Sequence, residues 1–328
     1  MIDMHHLLLG GGGFIGRHVA LLLVQLGFRV TIASRHCIID QFPEELRKHI
    51  SWKVLELGAA DWDDLVEDAD IVHHYAWGSI PASANANPRG DLVTNVSATI
   101  DLLDALKRKG SGRVLFSSSG GTVYGRLKFN PVSEEHPLFP TTAYGAGKVT
   151  AETYFGLYRE MYGLDCRIAR IANPYGAGQD LTKGLGAVTT FLHKAISGDV
   201  ISIWGTGDVV RDYLHISDLA KGLVKLSLAS VTREFIFNFG SGIGVSLNDI
   251  VYEIENQLKR PLTVYRTERR SFDVPVSVLD IDRARSELDW APMLSFSYGI
   301  ARTLEDLGKA AIFSNLEDPN LREGSEFV

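Results

Sequence analysis

Cysteine is nearly absent: the 328-residue chain has only Cys37 and Cys166, far apart and in no metal-binding or redox spacing. That excludes a disulfide scaffold, suggests no metal, and makes a reducing, cytoplasmic compartment the expected location. Long apolar runs are missing too. Leu7 to Leu9 flows at once into glycines, too short for a signal peptide or a membrane span, so no membrane association is expected. Positive charge is not in surplus, since 33 Lys and Arg stand against 40 Asp and Glu, and no basic patch offers a nucleic-acid surface. Internal repeats and low-complexity tracts are also lacking. What remains, 45% hydrophobic and 22% charged residues, describes an ordinary globular protein, long enough to enclose a cofactor without a partner chain.

Short apolar strands alternate with helical segments through the first 170 residues, the sequence form of a parallel sheet with crossover helices. The strand candidates are His6 to Leu9, Arg29 to Ala33, Ser51 to Leu55, Ile71 to Tyr75, Arg113 to Ser117 and Cys166 to Ile171. They predict an α/β fold, a doubly wound Rossmann-type sheet over residues 1–172. After Asn173 the rhythm becomes irregular, as in a smaller mixed α/β lobe built from 173–208 and 241–328. Residues 209–240 are expected to return to the sheet, with a helix over Ser217 to Leu228 opened by a Ser/Asp cap and a buried strand over Glu234 to Phe239. From Leu316 on, the polar composition suggests a frayed tail.

Gly10-Gly11-Gly12-Gly13-Phe14-Ile15-Gly16 follows the first strand and precedes an apolar helical run, Arg17 to Leu26. Glycines there let backbone N–H groups approach a pyrophosphate at a helix N-terminus, so a dinucleotide is expected on this turn. Ser34 and Arg35 end the second strand, where an acid would accept the ribose hydroxyls of NAD. Arg35 suits the 2′-phosphate of NADP but equally a solvated surface, so NAD and NADP both stay open.

Tyr144-Gly-Ala-Gly-Lys148 places a phenol and an ammonium four residues apart, on one helical face if the helix has begun by Tyr144. A nearby cation favours phenolate, which predicts a lowered tyrosine pKa and a proton acceptor for a hydroxyl losing hydride. Such a pair is common on surface helices; its place between strands five and six gives it weight. Ser117-Ser118-Ser119 ends strand five, where ligands of open parallel sheets sit. Two of these serines are expected to satisfy backbone groups, leaving Ser119 as the catalytic hydroxyl.

These motifs resemble the extended short-chain dehydrogenase/reductase family, in its sugar-nucleotide epimerase and dehydratase branch and most of all its UDP-hexose 4-epimerases. The resemblance spans Leu7 to Leu304 and also rests on Thr122-Val-Tyr-Gly125, Asn173-Pro-Tyr-Gly176 and the segment Val210 to Asp218. It implies that Asn173 and Arg211 bind a nucleotide-sugar, that Arg270 (or, less readily, Arg269) and Asp273 form a second nucleotide clamp, and that small Ser277 admits N-acetylhexosamines. It further implies Asn95 near the cofactor, Ala76 and Trp77 on the loop lining the nicotinamide, Ser79 facing the sugar, and a homodimer through Asp91 to Lys109 and Tyr144 to Tyr162.

Three departures qualify the resemblance. Ser34 and Arg35 replace the usual acid, and Gly58-Ala59-Ala60 precede Asp61 where the family has an adenine-binding aspartate. One extra residue before Tyr124 makes Ser119 and Gly120 compete for the catalytic place. Gly120-Gly121 lacks the acid pair of a dehydratase. The expected activity is inversion of C4 in a UDP-hexose such as UDP-glucose, or in a UDP-N-acetylhexosamine such as UDP-GlcNAc, through a transient 4-ketose. The alternative is an NADPH-dependent reductase of a nucleotide-linked 4-ketosugar.

Overall fold

The computed structural model describes residues 4–180, 186–268 and 274–316. In chain order the first half comprises β1 (His5–Leu9), α1 (Phe14–Gln25), β2 (Arg29–Ser34), α2 (Glu44–Arg47), β3 (Ile50–Val54), α3 (Trp62–Val66), β4 (Ile71–His74), α4 (Pro81–Ala86), α5 (Pro88–Asp91), a π-helical turn (Leu92–Val96), α6 (Ser97–Lys109), β5 (Arg113–Ser119), α7 (Ala143–Tyr162) and β6 (Asp165–Ile171). The second half comprises β7 (Asn173–Tyr175), α8 (Ala187–Ser197), β8 (Ile201–Trp204), β9 (Val210–His215), α9 (Ile216–Leu228), β10 (Ile236–Phe239), β11 (Gly244–Ser246), α10 (Leu247–Leu258), β12 (Val264–Thr267), β13 (Val276–Ser277), α11 (Asp282–Leu288) and α12 (Phe296–Leu316).

Seven parallel strands form the main sheet in the order β10-β6-β5-β4-β1-β2-β3, the expected Rossmann-type arrangement. Helices cover both faces, which is why Leu7, Leu8 and Leu9 are all fully buried and β1 shows no polar alternation. One face packs against α1 and α9, with Leu8, Val19, Leu23 and Leu223 in its core; the other packs against α6 and α7 through Leu102, Phe116 and Phe155. Strand order reverses between β1 and β4, opening the crevice in which such sheets bind ligands.

A separate sheet joins β11, β9, β13 and β7. The expected return of 209–240 therefore differs at its start: β9 belongs to this smaller sheet, and the chain rejoins the main one through α9 and β10. The reason is buried Asp212, which accepts hydrogen bonds from Ser241 N (2.6 Å), Gly242 N (3.1 Å) and Leu279 N (3.2 Å) and so ties β9 to the segments beside β11 and β13. The α9 cap also differs. His215, not Ser217, is the N-cap, and its Nδ1 accepts from Ser217 N at 3.2 Å.

Candidate active site

The glycine turn leads from β1 into α1. Gly10 has φ +77°, and a Cβ there would lie 2.7 Å from the Ala76 nitrogen; one on Gly16 would lie 2.6 Å from the Gly10 carbonyl. Side chains are thus excluded where β1, β4 and the helix start converge. Gly13 is the N-cap and brings no side-chain cap, and the first turn of α1, with Phe14 and Ile15, holds no acid. The amides and dipole of a twelve-residue helix are left for an anion, so these residues fit a dinucleotide diphosphate. Arg17, which the motif did not single out, donates from Nη2 to Gly12 O at 3.0 Å and adds a cation to the turn.

At the end of β2, the Ser34 hydroxyl donates to His36 O (2.7 Å) and accepts from Trp52 Nε1 (3.2 Å), while Arg35 is exposed. Asp61 is engaged in capping α3, accepting from Asp64 N at 3.2 Å.

Thr142 caps α7 by accepting from Gly145 N, so the helix has begun by Tyr144, and Tyr144 and Lys148 lie one turn apart. Fully buried Lys148 donates to Ser117 O at 2.8 Å, which fixes the pair at the end of β5. The three serines have separate engagements, and the Ser118 hydroxyl goes to a carboxylate rather than to a backbone group as expected. Ser118 donates to Glu152 on α7, Ser117 offers its carbonyl to Lys148, and Ser119 takes Thr122 N and Val123 N on its carbonyl. That tight turn also buries the Thr122 hydroxyl, which has no hydrogen-bond partner among the described residues.

The electrostatics reverse one expectation. Burial, reinforced by the Asp91 carboxylate, pushes the Tyr144 phenol up to about 12, whereas a lowered value was predicted. The ammonium of Lys148 is turned elsewhere: it lies 3.8 Å from the Trp77 ring centroid and 5.6 Å from that of Tyr144. Burial itself pushes Lys148 down to about 7, opposed by the charges of Glu152 and Asp91.

The loop after β4 is held by a polar cluster. Asn95 Oδ1 accepts from Gly78 N at 2.6 Å, Asn95 Nδ2 donates to Asp91 Oδ1 at 2.9 Å, and Ser79 Oγ donates to the same carboxylate oxygen. Ser79, expected to face the sugar, has its hydroxyl committed to Asp91 instead. Ala76 packs on Gly10, and Trp77 stands edge-on to Tyr144 with centroids 6.1 Å apart.

Across the crevice, Asn173 Nδ2 donates to Asp212 O at 2.9 Å, and Arg211 Nη1 donates to Val274 O at 2.7 Å. Ser277 on β13 pairs in register with Arg211 on β9. Three of the expected substrate contacts therefore share one small sheet. Arg269, Arg270 and Asp273 lie outside the described residues.

Residues 6–240 match the model of the NAD dependent epimerase/dehydratase family. The chain belongs to that family. Among its relatives, a putative UDP-glucose 4-epimerase of Methanocaldococcus jannaschii is 30% identical, the match covering 91% of this chain and 96% of the relative. A dTDP-4-dehydro-6-deoxyglucose reductase of Escherichia coli is 32% identical, with 92% and 96% covered. The fold matches a UDP-glucose 4-epimerase of Thermotoga maritima, solved with UDP-glucose, at TM-score 0.87 and 27% identity over 94% of this chain and 100% of that one. The epimerase/dehydratase assignment makes the chain an enzyme of a family that works with a nicotinamide cofactor. No described helix is long and apolar enough to cross a membrane.

Proposed function

We propose that the chain is a UDP-sugar 4-epimerase acting on a UDP-hexose or a UDP-N-acetylhexosamine. One observation carries the reading: α7 holds Tyr144 and Lys148 one turn apart against the end of β5, beside the crevice where the glycine turn fits a dinucleotide. Tyr144 takes the proton of the C4 hydroxyl with Ser119 as hydrogen-bond partner, and returns it after the 4-ketose has presented its other face. The bound nicotinamide supplies the acceptor and donor of hydride. Lys148 positions the cofactor ribose, and Ala76 and Asn95 shape the wall beside it. Asn173 and Arg211 hold the nucleotide diphosphate; Arg270 and Asp273 complete the clamp. Small Ser277 leaves room for an N-acetyl group.

Two features favour the second reading, a 4-ketosugar reductase. A phenol held protonated by burial and Asp91 is suited to donating a proton, and Arg35 suits NADP. The deciding experiment purifies the protein without added cofactor, identifies any nucleotide released on denaturation, and assays UDP-glucose and UDP-GlcNAc for their C4 epimers. The expected result is near-stoichiometric dinucleotide with interconversion and no net NADPH use. Empty protein, inert on both sugars but oxidising NADPH with a nucleotide-linked 4-ketosugar, establishes the reductase.

We also propose a homodimer through α5, the π-turn, α6 and α7. Leu92 and Val93 on the first stretch, and Leu157 and Met161 on α7, are about half exposed, an apolar face that a second copy would cover. Sedimentation should then give twice the 36.1 kDa chain mass, and a monomer at micromolar concentration refutes the pairing.

A further inference from the structure

Asp91 is a buried carboxyl residue that no motif singles out and to which no substrate or cofactor contact has been given. Its Oδ1 is fully engaged by Ser79 and Asn95, which leaves Oδ2 pointing at α7. There the backbone yields to it: a Cβ on Gly147 would lie 3.0 Å from Asp91 Oδ2 and 3.3 Å from the Trp77 ring. Gly147 stands between Tyr144 and Lys148. The glycine in Tyr-Gly-Ala-Gly-Lys thus lets the carboxylate lie against the helix between the two, close enough to act on each by its charge.

We propose that Asp91 is a third charged member of this site, a positioning residue that acts on Tyr144 and Lys148 across Gly147 and sets the pH range in which they work. This rests on Tyr144 being the proton-transfer group. A carboxylate at that place disfavours phenolate and favours ammonium, so it keeps a proton on Tyr144 and a charge on Lys148. On Lys148 it acts beside Glu152 of α7, which is paired with Arg170 and supports the ammonium more strongly than Asp91 does; on Tyr144 the carboxylate that acts is Asp91. The other surroundings add little: α4 (Pro81–Ala86) brings no ionisable group; His74 on β4, its Nε2 on Thr99, is held neutral by burial and by Lys148; Arg89 on the same helix as Asp91 is exposed. Asp91 also anchors the loop that seats Trp77 on Lys148, so its charge and its hydrogen bonds must be separated experimentally.

Asp91→Asn removes the charge but keeps an acceptor oxygen for Ser79 and Asn95. Both Tyr144 and Lys148 should then ionise at lower pH, moving the acid and alkaline limbs of the kcat profile for UDP-sugar conversion in the same, downward direction. Independently of any activity, the ring signal of labelled tyrosine that disappears in Tyr144→Phe should titrate at a pH about one unit lower in Asp91→Asn, a tenfold change in ionisation constant. Asp91→Glu, which restores the charge, should return both toward wild type. Unshifted limbs and an unshifted Tyr144 titration in Asp91→Asn, whatever the loss of rate, would overturn the proposal and leave Asp91 a structural clamp. If the wild-type protein converts no UDP-sugar, the epimerase reading fails while the Tyr144 titration still decides the role of Asp91.

Discussion

Tyr144→Phe should lower turnover of the UDP-sugar by about 10²- to 10⁴-fold, the usual worth of a positioned proton-transfer group, with sugar-nucleotide affinity unchanged. The substitution removes one oxygen and leaves the ring. The edge contact with Trp77 therefore survives, as do the Thr142 cap and the Lys148 bond to Ser117 O, none of which uses the hydroxyl. Stability should be almost untouched, so a lost rate reports chemistry. Single-turnover kinetics with calorimetric binding of UDP-sugar checks the claim: a fall in kcat at constant Kd marks an interaction made only in the transition state. Retention of more than about a tenth of the wild-type rate would move proton transfer to another group. The buried Thr122 hydroxyl on the turn that follows Ser119, without a partner among the described residues, would be the next to test.

What the sequence makes legible is whatever depends on spacing. Strands such as β1, β5 and β6 are nearly continuous buried runs, and their parallel pairing follows from the crossover segments between them. Their ends are less visible: β5 continues to Ser119 because Ser118 and Ser119 still pair with Arg170 and Ile171, which polar side chains conceal. Tyr144 and Lys148 are legible because four residues make one helical turn. The direction in which Lys148 points is not, since it depends on Trp77 from another element; nor is the sign of the shift on Tyr144, which burial and Asp91 set. Asp91 is hidden for the same reason. It lies 53 residues before Tyr144 and sits in a polar stretch that reads as a solvated helix start. His215 escaped as a cap because histidine rarely serves there, whereas Ser217 and Asp218 imitate the common pattern. One signal was available and unused: Arg167 and Arg170 interrupt an otherwise apolar strand, and a charge in a buried strand must have a partner.

That partner leads to the largest expected loss of stability, from Glu152→Ala. Arg170 and Glu152 have side chains only 3% and 4% exposed, and they meet at 2.7 Å between Nη2 and Oε2, with Nε 3.2 Å from both carboxylate oxygens. Ser118 on β5 donates to the same carboxylate, Arg170 Nη1 donates to Tyr124 Oη at 3.1 Å, and Tyr124 donates to Asn238 on β10 at 2.6 Å. The network therefore crosses from α7 through β5 and β6 to the sheet edge. Deleting the carboxylate strands a guanidinium that water cannot reach, which costs about 3–5 kcal/mol. Replacing both partners, as in Glu152→Leu with Arg170→Met, removes the stranded charge and should recover most of that loss. Urea unfolding followed by circular dichroism measures the difference. A loss below about 1 kcal/mol for Glu152→Ala would mean that solvent enters to hydrate Arg170. The single variant should also weaken the site, because Glu152 is the first of the two charges that hold Lys148 protonated against its burial. The pair is thus structural in its energetics, but its position one turn beyond Lys148 makes the Lys148 ammonium depend on it.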